Sequence, residues 1–267
     1  MKKKIYFIRN SNKIKERIFW DRYSIGLRKN ISKHSFLRRM KKSFWWENLI
    51  GKVKNKKIID IGCGNRHYVT YWVLSGNEAV GIDISPETIE NNKILHEKFG
   101  LKNCFSICSA EKLNFPSESF DIAHIQFLLH HLPLNFMDIV IKEAFRVLKE
   151  DGLLLLFEPN FNFPLRWIIQ NPLIQEFNLL RKYAILKGWI TPEEKALKNF
   201  QYIQLLKQNK FKIIKINYYK QTLSYVFKFF NKKIKKIGIK FQRFDRILNL
   251  ILKPHIFGNQ IQIISQK

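Results

Sequence analysis

Two stretches of this 267-residue chain bring together residue types that could hold a small molecule. The first is Lys57-Ile58-Ile59-Asp60-Ile61-Gly62-Cys63-Gly64-Asn65, an apolar run that ends in an acid and then two glycines one position apart. A continuous apolar run of this length reads as a strand buried on both faces, and glycine after it lets backbone come close to a ligand. About twenty residues later, Glu78-Ala79-Val80-Gly81-Ile82 is a second such strand ending in Asp83, and an acid at that spacing suits a hydrogen bond to ribose hydroxyls. Asp60, Gly62, Cys63, Gly64, Asp83 and the following Ile84 are therefore expected to line a nucleoside-binding crevice. A dinucleotide fingerprint would need a third glycine at position 67, where this chain has His67, so NAD is disfavoured. Taken alone, the glycines also fit a tight strand-to-helix turn with no ligand.

The acid-x-Gly-x-Gly pattern that remains resembles the first motif of class I S-adenosylmethionine-dependent methyltransferases, and Asp83 resembles that family's acid at the end of the second strand. The family's usual further glycine would fall at Arg66. Two consequences are open: a bulky side chain narrows the cofactor loop, or its guanidinium pairs with the methionine carboxylate. Ser109-Ala110-Glu111-Lys112-Leu113-Asn114-Phe115-Pro116 is similar to the segment after the family's third strand, where an aspartate and nearby amides read adenine. Ser109 stands in place of that aspartate, which leaves the contact to a hydroxyl and backbone. Ser119 to Leu132 resembles the fourth strand and its loop, and Glu143 to Gly152, then Leu153 to Phe157, the following helix and fifth strand. The order and spacing of these segments match the family from position 58 to about 160. The resemblance implies S-adenosyl-L-methionine as cofactor, held by Asp60, Gly62, Cys63, Gly64, Asp83, Ile84, Ser109, Ala110, Glu111 and Gln126.

The elements that must position these residues follow from local signals. Asn65 can cap a helix through Tyr68, Val69, Trp72 and Val73 that ends near Gly76. Ser85 is an N-cap with Pro86 at the first helical position, Glu87 in the first turn and Gly100 just past the end. Cys104 to Cys108 forms a third strand, and the helix from Glu143 is closed by an Asp151-Gly152 turn. Thr191-Pro192-Glu193-Glu194 starts a helix that runs to about Gln208. Phe211 to Tyr218 reads as a strand, and Gln260 to Ile264 as its partner after a Gly258-Asn259 turn. Strands alternating with helices give an α/β fold. The expected architecture is a doubly wound, mostly parallel seven-stranded sheet with an antiparallel last strand and helices on both faces.

Ligands of such sheets sit at the carboxyl ends of the strands. Gln126, His130, His131, Glu158 and Asn160 all lie just after an expected strand and should converge on one rim. His131, His130 and Glu158 are the candidates for proton transfer or for orienting a substrate. The competing view is that one histidine caps the loop or packs beneath the pocket. Adjacent histidines on a helix do not face each other, and no metal site is expected. Cys63, Cys104 and Cys108 make neither a disulfide framework nor a zinc set, and read as reduced and structural.

The formal charge of +27 is uneven. Residues 1–57 hold 19 basic and 3 acidic side chains, residues 58–160 hold 8 and 14, and residues 161–267 hold 21 and 4. Basic flanks around an acidic centre can attract a polyanion or an anionic membrane surface, or can reflect lysine filling solvent positions. Residues 1–50 form an expected amino-terminal helical cap, with Ile14, Ile18 and Ile25 at helical spacing and Phe44-Trp45-Trp46 opening a second short helix. The cofactor domain is assigned to 51–219 and 259–267, with aromatic cover between Phe161 and Ile190. Residues 220–258 form a basic insertion whose apolar stripe steps from Leu223 through Phe227, Phe230 and Ile234 to Ile251. That insertion suits either a lid or a helix lying on an anionic membrane.

No apolar run approaches the roughly 18 residues of a membrane span. Met1 to Arg9 has a basic start but too short an apolar stretch for a signal peptide, so the expected location is the cytoplasm, with a peripheral position at the inner membrane face as the alternative. The expected activity is methyl transfer to a small or lipid-like acceptor. Competing assignments are a tRNA or rRNA methyltransferase that uses the basic flanks on phosphates, and a catalytically inactive cofactor-binding scaffold marked by Arg66 and Ser109.

Overall fold

The computed structural model describes residues 32–43, 46–162, 197–219 and 260–267. The expected helix around Ile14 to Ile25, the aromatic cover beyond Asn162, the Thr191 cap, the Gly258-Asn259 turn and the basic insertion lie outside the described residues. In chain order the elements are α1 (Lys33–Ser43), α2 (Glu47–Ile50), β1 (Lys57–Ile61), α3 (Tyr68–Leu74), β2 (Glu78–Asp83), α4 (Pro86–Lys98) and β3 (Phe105–Ile107). They continue with β4 (Phe120–Gln126), a 3₁₀ turn (Leu129–His131), α5 (Leu134–Val147), β5 (Leu148–Pro159), α6 (Asn199–Gln208), β6 (Lys212–Tyr219) and β7 (Gln260–Gln266).

The seven strands form one sheet in the order β3-β2-β1-β4-β5-β7-β6. The first five run parallel, and β7 lies antiparallel between β5 and β6. Strand order reverses between β2-β1 and β1-β4, so the carboxyl end of β1 is where a ligand crevice opens. The apolar run read as doubly buried is so: Ile58, Ile59 and Ile61 are fully buried, each gaining roughly 1.5–3 kcal/mol over an exposed position. Their side chains alternate between two cores. Ile59 and Ile61 join Met137, Val140, Ile141 and Ala144 of α5 and Tyr202 and Leu206 of α6. Ile58 joins Phe36 and Met40 of α1, Trp46, Tyr68, Val69 and Trp72. Helices therefore cover both faces.

Gly81 on β2 sits where a Cβ would come within 2.7 Å of the Phe105 ring and 3.0 Å of Val69. Its missing side chain is what lets β3 and α3 close on the strand.

Several boundaries differ from the local signals. Ser85 does cap α4, accepting from the Thr88 amide at 3.0 Å, with Pro86 at the first helical position. Asn65, by contrast, does not cap α3. That helix begins at Tyr68, after His67 in the left-handed region (φ +60°) without a side-chain cap. The helix before the Asp151-Gly152 turn ends at Val147 rather than continuing to the turn, because Leu148 already pairs with Phe120 of β4. Cys104 and Cys108 flank β3 rather than belonging to it. The Trp46 helix is a single turn, and Phe36 and Met40 are buried on α1.

Candidate functional site

The Gly62–Gly64 turn continues the end of β1. The amides of Gly62 and Cys63 both donate to the Ile82 carbonyl at 2.9 Å, which ties the turn to β2. Gly62 has φ +71°, and a Cβ there would meet Leu128 Cδ1 at 2.9 Å. Any side chain there would be strained by the backbone and would have to displace the Leu128 tip. The Gly64 carbonyl accepts from Asn92 Nδ2 at 2.9 Å, and Asn92 Oδ1 lies 2.9 Å from His67 Nδ1. Asn92, one helix away on α4, therefore supports both the loop and the left-handed residue that ends it.

Asp83 ends β2 beside this turn. Its carboxylate accepts from the Gly64 amide at 3.0 Å and the Ser85 amide at 2.9 Å. Burial pushes the Asp83 pKa up to about 6; the Ser85 and Gly64 amides oppose that shift, and the Asp60 charge adds to it. Burial, followed by the same two carboxylates, also drives the Cys63 thiol well above its ordinary range, so Cys63 is inert as a nucleophile. Ile84 and Ser109 are half-buried, and Ala110 is buried. The Cys108 amide donates to the Asp83 carbonyl at 3.0 Å, which brings the Ser109-Ala110-Glu111 segment alongside Asp83. Its continuation is clamped from α5: Arg146 donates to the carbonyls of Phe115 (2.8 Å) and Leu113 (3.0 Å), while Glu143 accepts from the Leu113 amide at 2.7 Å.

Asp60 is buried at the tip of β1. Its Oδ1 lies 2.8 Å from His124 Nδ1, and His124 Nε2 accepts from the Trp46 indole N–H at 2.9 Å. Asp60 Oδ2 is also buried and has no hydrogen-bond partner among the described residues. Two strand positions beyond His124, Gln126 Oε1 is in the same condition. Buried acceptors are nearly always satisfied. Two orphans at neighbouring strand ends, beside a glycine turn, are what a ligand bearing donors would fill.

The fourth strand is followed by Phe127, held in the left-handed region (φ +56°). The Arg66 guanidinium lies over its ring at 4.6 Å, so the exposed Arg66 side chain is folded onto the aromatic wall beside the turn. His130 and His131 follow in the 3₁₀ turn Leu129–His131, with ring centroids 4.0 Å apart. Glu158 at the end of β5 is fully buried. Its carboxylate meets His130 Nδ1 at 2.6 Å and accepts from the amides of Leu128 and Leu129 at 2.9 Å each. His131 is half-buried on the same turn. Asn160 is buried and accepts from the Asn162 amide at 2.9 Å.

All the singled-out positions thus gather at the carboxyl edge of β1, β2, β4 and β5 and in the loop after β3. Local patterns did not reveal His124, Trp46, Asn92, Glu143 and Arg146. Only His124 left a trace, as an imidazole in the middle of an otherwise apolar central strand, where a buried polar group needs a partner. Among the described residues no group of three or more His, Cys, Asp or Glu side chains could hold a metal ion. No helix among them is long and apolar enough to cross a membrane.

Residues 59–156 match the family model described as a methyltransferase domain. The chain is 31% identical over 124 residues to an uncharacterized methyltransferase, YcgJ, of Bacillus subtilis, covering 45% of each chain. It is 33% identical over 104 residues to a ubiquinone biosynthesis O-methyltransferase of Pelagibacter ubique, covering 39% of this chain and 42% of that one. The chain thus spans less than half the length of these curated relatives. A crystal structure of an S-adenosylmethionine-dependent methyltransferase from Archaeoglobus fulgidus superposes with a TM-score of 0.58 at 16% identity, over 86% of this chain and 94% of that one. That likeness is one of fold.

Proposed function

We propose, from the premise that residues 59–156 belong to the S-adenosylmethionine-dependent methyltransferases, that this protein transfers the methyl group of S-adenosyl-L-methionine to a small or lipid-like acceptor. One observation carries the reading. The unpartnered Asp60 Oδ2 and the Asp83 carboxylate stand at the tips of two adjacent strands, on either side of a turn whose two glycines both have positive φ. When bound, S-adenosylmethionine supplies a methyl group on a sulfonium centre, already electrophilic enough to need no nucleophile from the protein.

The residues present suit that group. Asp60 Oδ2 and Gln126 Oε1, both without a partner among the described residues, would accept from the ammonium of its amino-acid end. Asp83 retains acceptor capacity for ribose hydroxyls beyond its bonds to backbone amides, since a carboxylate offers about four acceptor sites. Ser109, Ala110 and Glu111 flank the base, held in place by the Arg146 clamp, and Cys63 and Ile84 contribute backbone and apolar wall. Glu158 and His130 are positioning residues that fix the turn after β4. For a hydroxyl acceptor, His131 would take the hydroxyl proton onto its imidazole while the methyl group passes to the oxygen and the bonding pair of the broken carbon–sulfur bond stays on sulfur.

A lipid-like acceptor is supported by the relative named for ubiquinone biosynthesis and by the basic amphipathic pattern of residues 220–258. Calorimetric titration of S-adenosylhomocysteine into the full chain, followed by incubation with methyl-labelled cofactor and a membrane-lipid or a small-molecule extract, tests the reading. Saturable binding and label in one organic-extractable product are expected. No binding by the wild-type chain overturns the cofactor assignment, and label found only in RNA overturns the acceptor class.

A further inference from the structure

The Asp60 carboxylate is part of a buried chain of hydrogen bonds that leads out of the sheet. Trp46 stands just before α2, 1% exposed, and donates its indole N–H to His124 Nε2 at 2.9 Å; His124, fully buried, presents Nδ1 to Asp60 Oδ1 at 2.8 Å. An indole nitrogen can only donate. His124 Nε2 must therefore be the acceptor, the ring proton resides on Nδ1, and that N–H donates to Asp60. The imidazole is boxed edge-on by the rings of Trp46 (5.6 Å), Tyr68 (5.4 Å) and Trp72 (5.0 Å), which leaves it no room to turn. Asp60 Oδ1 is thereby committed, and Oδ2 is the oxygen left without a partner among the described residues.

We infer that Trp46 and His124 are positioning residues for the cofactor's amino-acid end: the indole N–H selects the His124 tautomer, and that tautomer holds the Asp60 carboxylate by Oδ1, with Oδ2 presented to an ammonium. The inference rests on the cofactor assignment above and adds a link from the amino-terminal segment to the bottom of the site. Without the indole donor, His124 can place its proton on Nε2 instead. Its Nδ1 lone pair would then face the carboxylate and turn it away. The segment around α2 thus orients a carboxylate 14 residues further along the chain, through an imidazole 78 residues away.

The test compares two ligands of the full chain. S-adenosylhomocysteine carries the ammonium, and 5′-methylthioadenosine lacks the amino-acid end. In Trp46→Phe, which keeps a ring of similar shape, S-adenosylhomocysteine is expected to bind about tenfold more weakly, the worth of one charge-assisted bond, while 5′-methylthioadenosine changes by no more than about twofold. His124→Asn keeps an N–H for Asp60 with no choice of tautomer, so adding Trp46→Phe in that background should change the ratio of the two affinities by no more than about twofold. Equal weakening of both ligands by Trp46→Phe, or an undiminished effect in the His124→Asn background, overturns the inference. If the wild-type chain binds neither ligand, the cofactor assignment itself falls, which is a different outcome.

Discussion

The Glu158 carboxylate and the His130 imidazole meet at 2.6 Å beneath the turn after β4, and the same carboxylate takes the amides of Leu128 and Leu129 at 2.9 Å. An acid at the end of a strand beside paired histidines looks like a proton-transfer group from its place in the chain. Its lone pairs are instead directed at the turn, so it shapes the loop that carries His131 and braces Leu128 against Gly62.

Replacing that charge should therefore show first in stability. Glu158→Gln keeps the shape but weakens the bonds to the Leu128, Leu129 and His130 amides and to His130 Nδ1, and about 2 kcal/mol is expected to go with them. For a chain of this size, that lowers the melting temperature by roughly 4–8 °C. A thermal melt of the two proteins measures it. An unchanged melting temperature would mean the carboxylate does not hold the turn.

Asp83 gives a pH dependence of known sign. Its folded pKa, raised by burial from 3.8 to about 6, lies above the unfolded value. The folded state therefore binds the proton more tightly, and this group's contribution declines as pH rises between those values and is level above about 6. The gap of about two pH units corresponds to an order of 3 kcal/mol. The stability of wild type minus that of Asp83→Asn should fall by that order between about pH 4 and pH 7, as read by urea unfolding at each pH. S-adenosylhomocysteine affinity runs the other way: ribose hydroxyls donate to the ionised form, so binding strengthens through about pH 6 in wild type and is flat in Asp83→Asn.

Gly62→Ala carries two separable costs. The left-handed φ of +71° penalises any Cβ, and that Cβ would meet Leu128 Cδ1 at 2.9 Å. Together they should destabilise by roughly 2–3 kcal/mol and weaken S-adenosylhomocysteine binding. Adding Leu128→Ala in the same chain relieves the contact but not the backbone. Relative to Leu128→Ala alone, the glycine change should then cost only about 1 kcal/mol, as denaturant titration would show.

How much of this was legible depends on how far each cause lies along the chain. The β1 and β2 strands, their acids and the Ser85 cap depend on neighbours within a few residues. The start of α3 does not. His67 takes the left-handed backbone that glycine usually fills, and what supports it there is Asn92 on another helix, 25 residues away. Likewise α5 ends at Val147 because β4 claims Leu148, a pairing no helical signal contains. Trp46 read as one more packing aromatic, and its polar edge acquires meaning only when β4 brings His124 to it.

The Arg146 clamp offers a test of the loop that would flank adenine. Arg146 donates to the carbonyls of Phe115 and Leu113 and pairs with Glu143 at 2.8 Å, and Glu143 in turn accepts from the Leu113 amide at 2.7 Å. The Glu143 bond is also the main reason the Arg146 pKa is raised, and Arg146 in turn lowers that of Glu143. Neither residue lies on a strand tip, so Arg146→Ala alters the site only by loosening residues 113–115 and, through them, the Ser109-Ala110-Glu111 segment. Two carbonyls lose their donor and Glu143 loses its counter-charge, at a cost of about 1–2 kcal/mol in stability. Binding of S-adenosylhomocysteine and of free adenosine should weaken by similar factors, because the shared adenine end is what the loop touches. Loss confined to the amino-acid-bearing ligand would place the effect at Asp60 instead, and would show that the loop after β3 does not read the base.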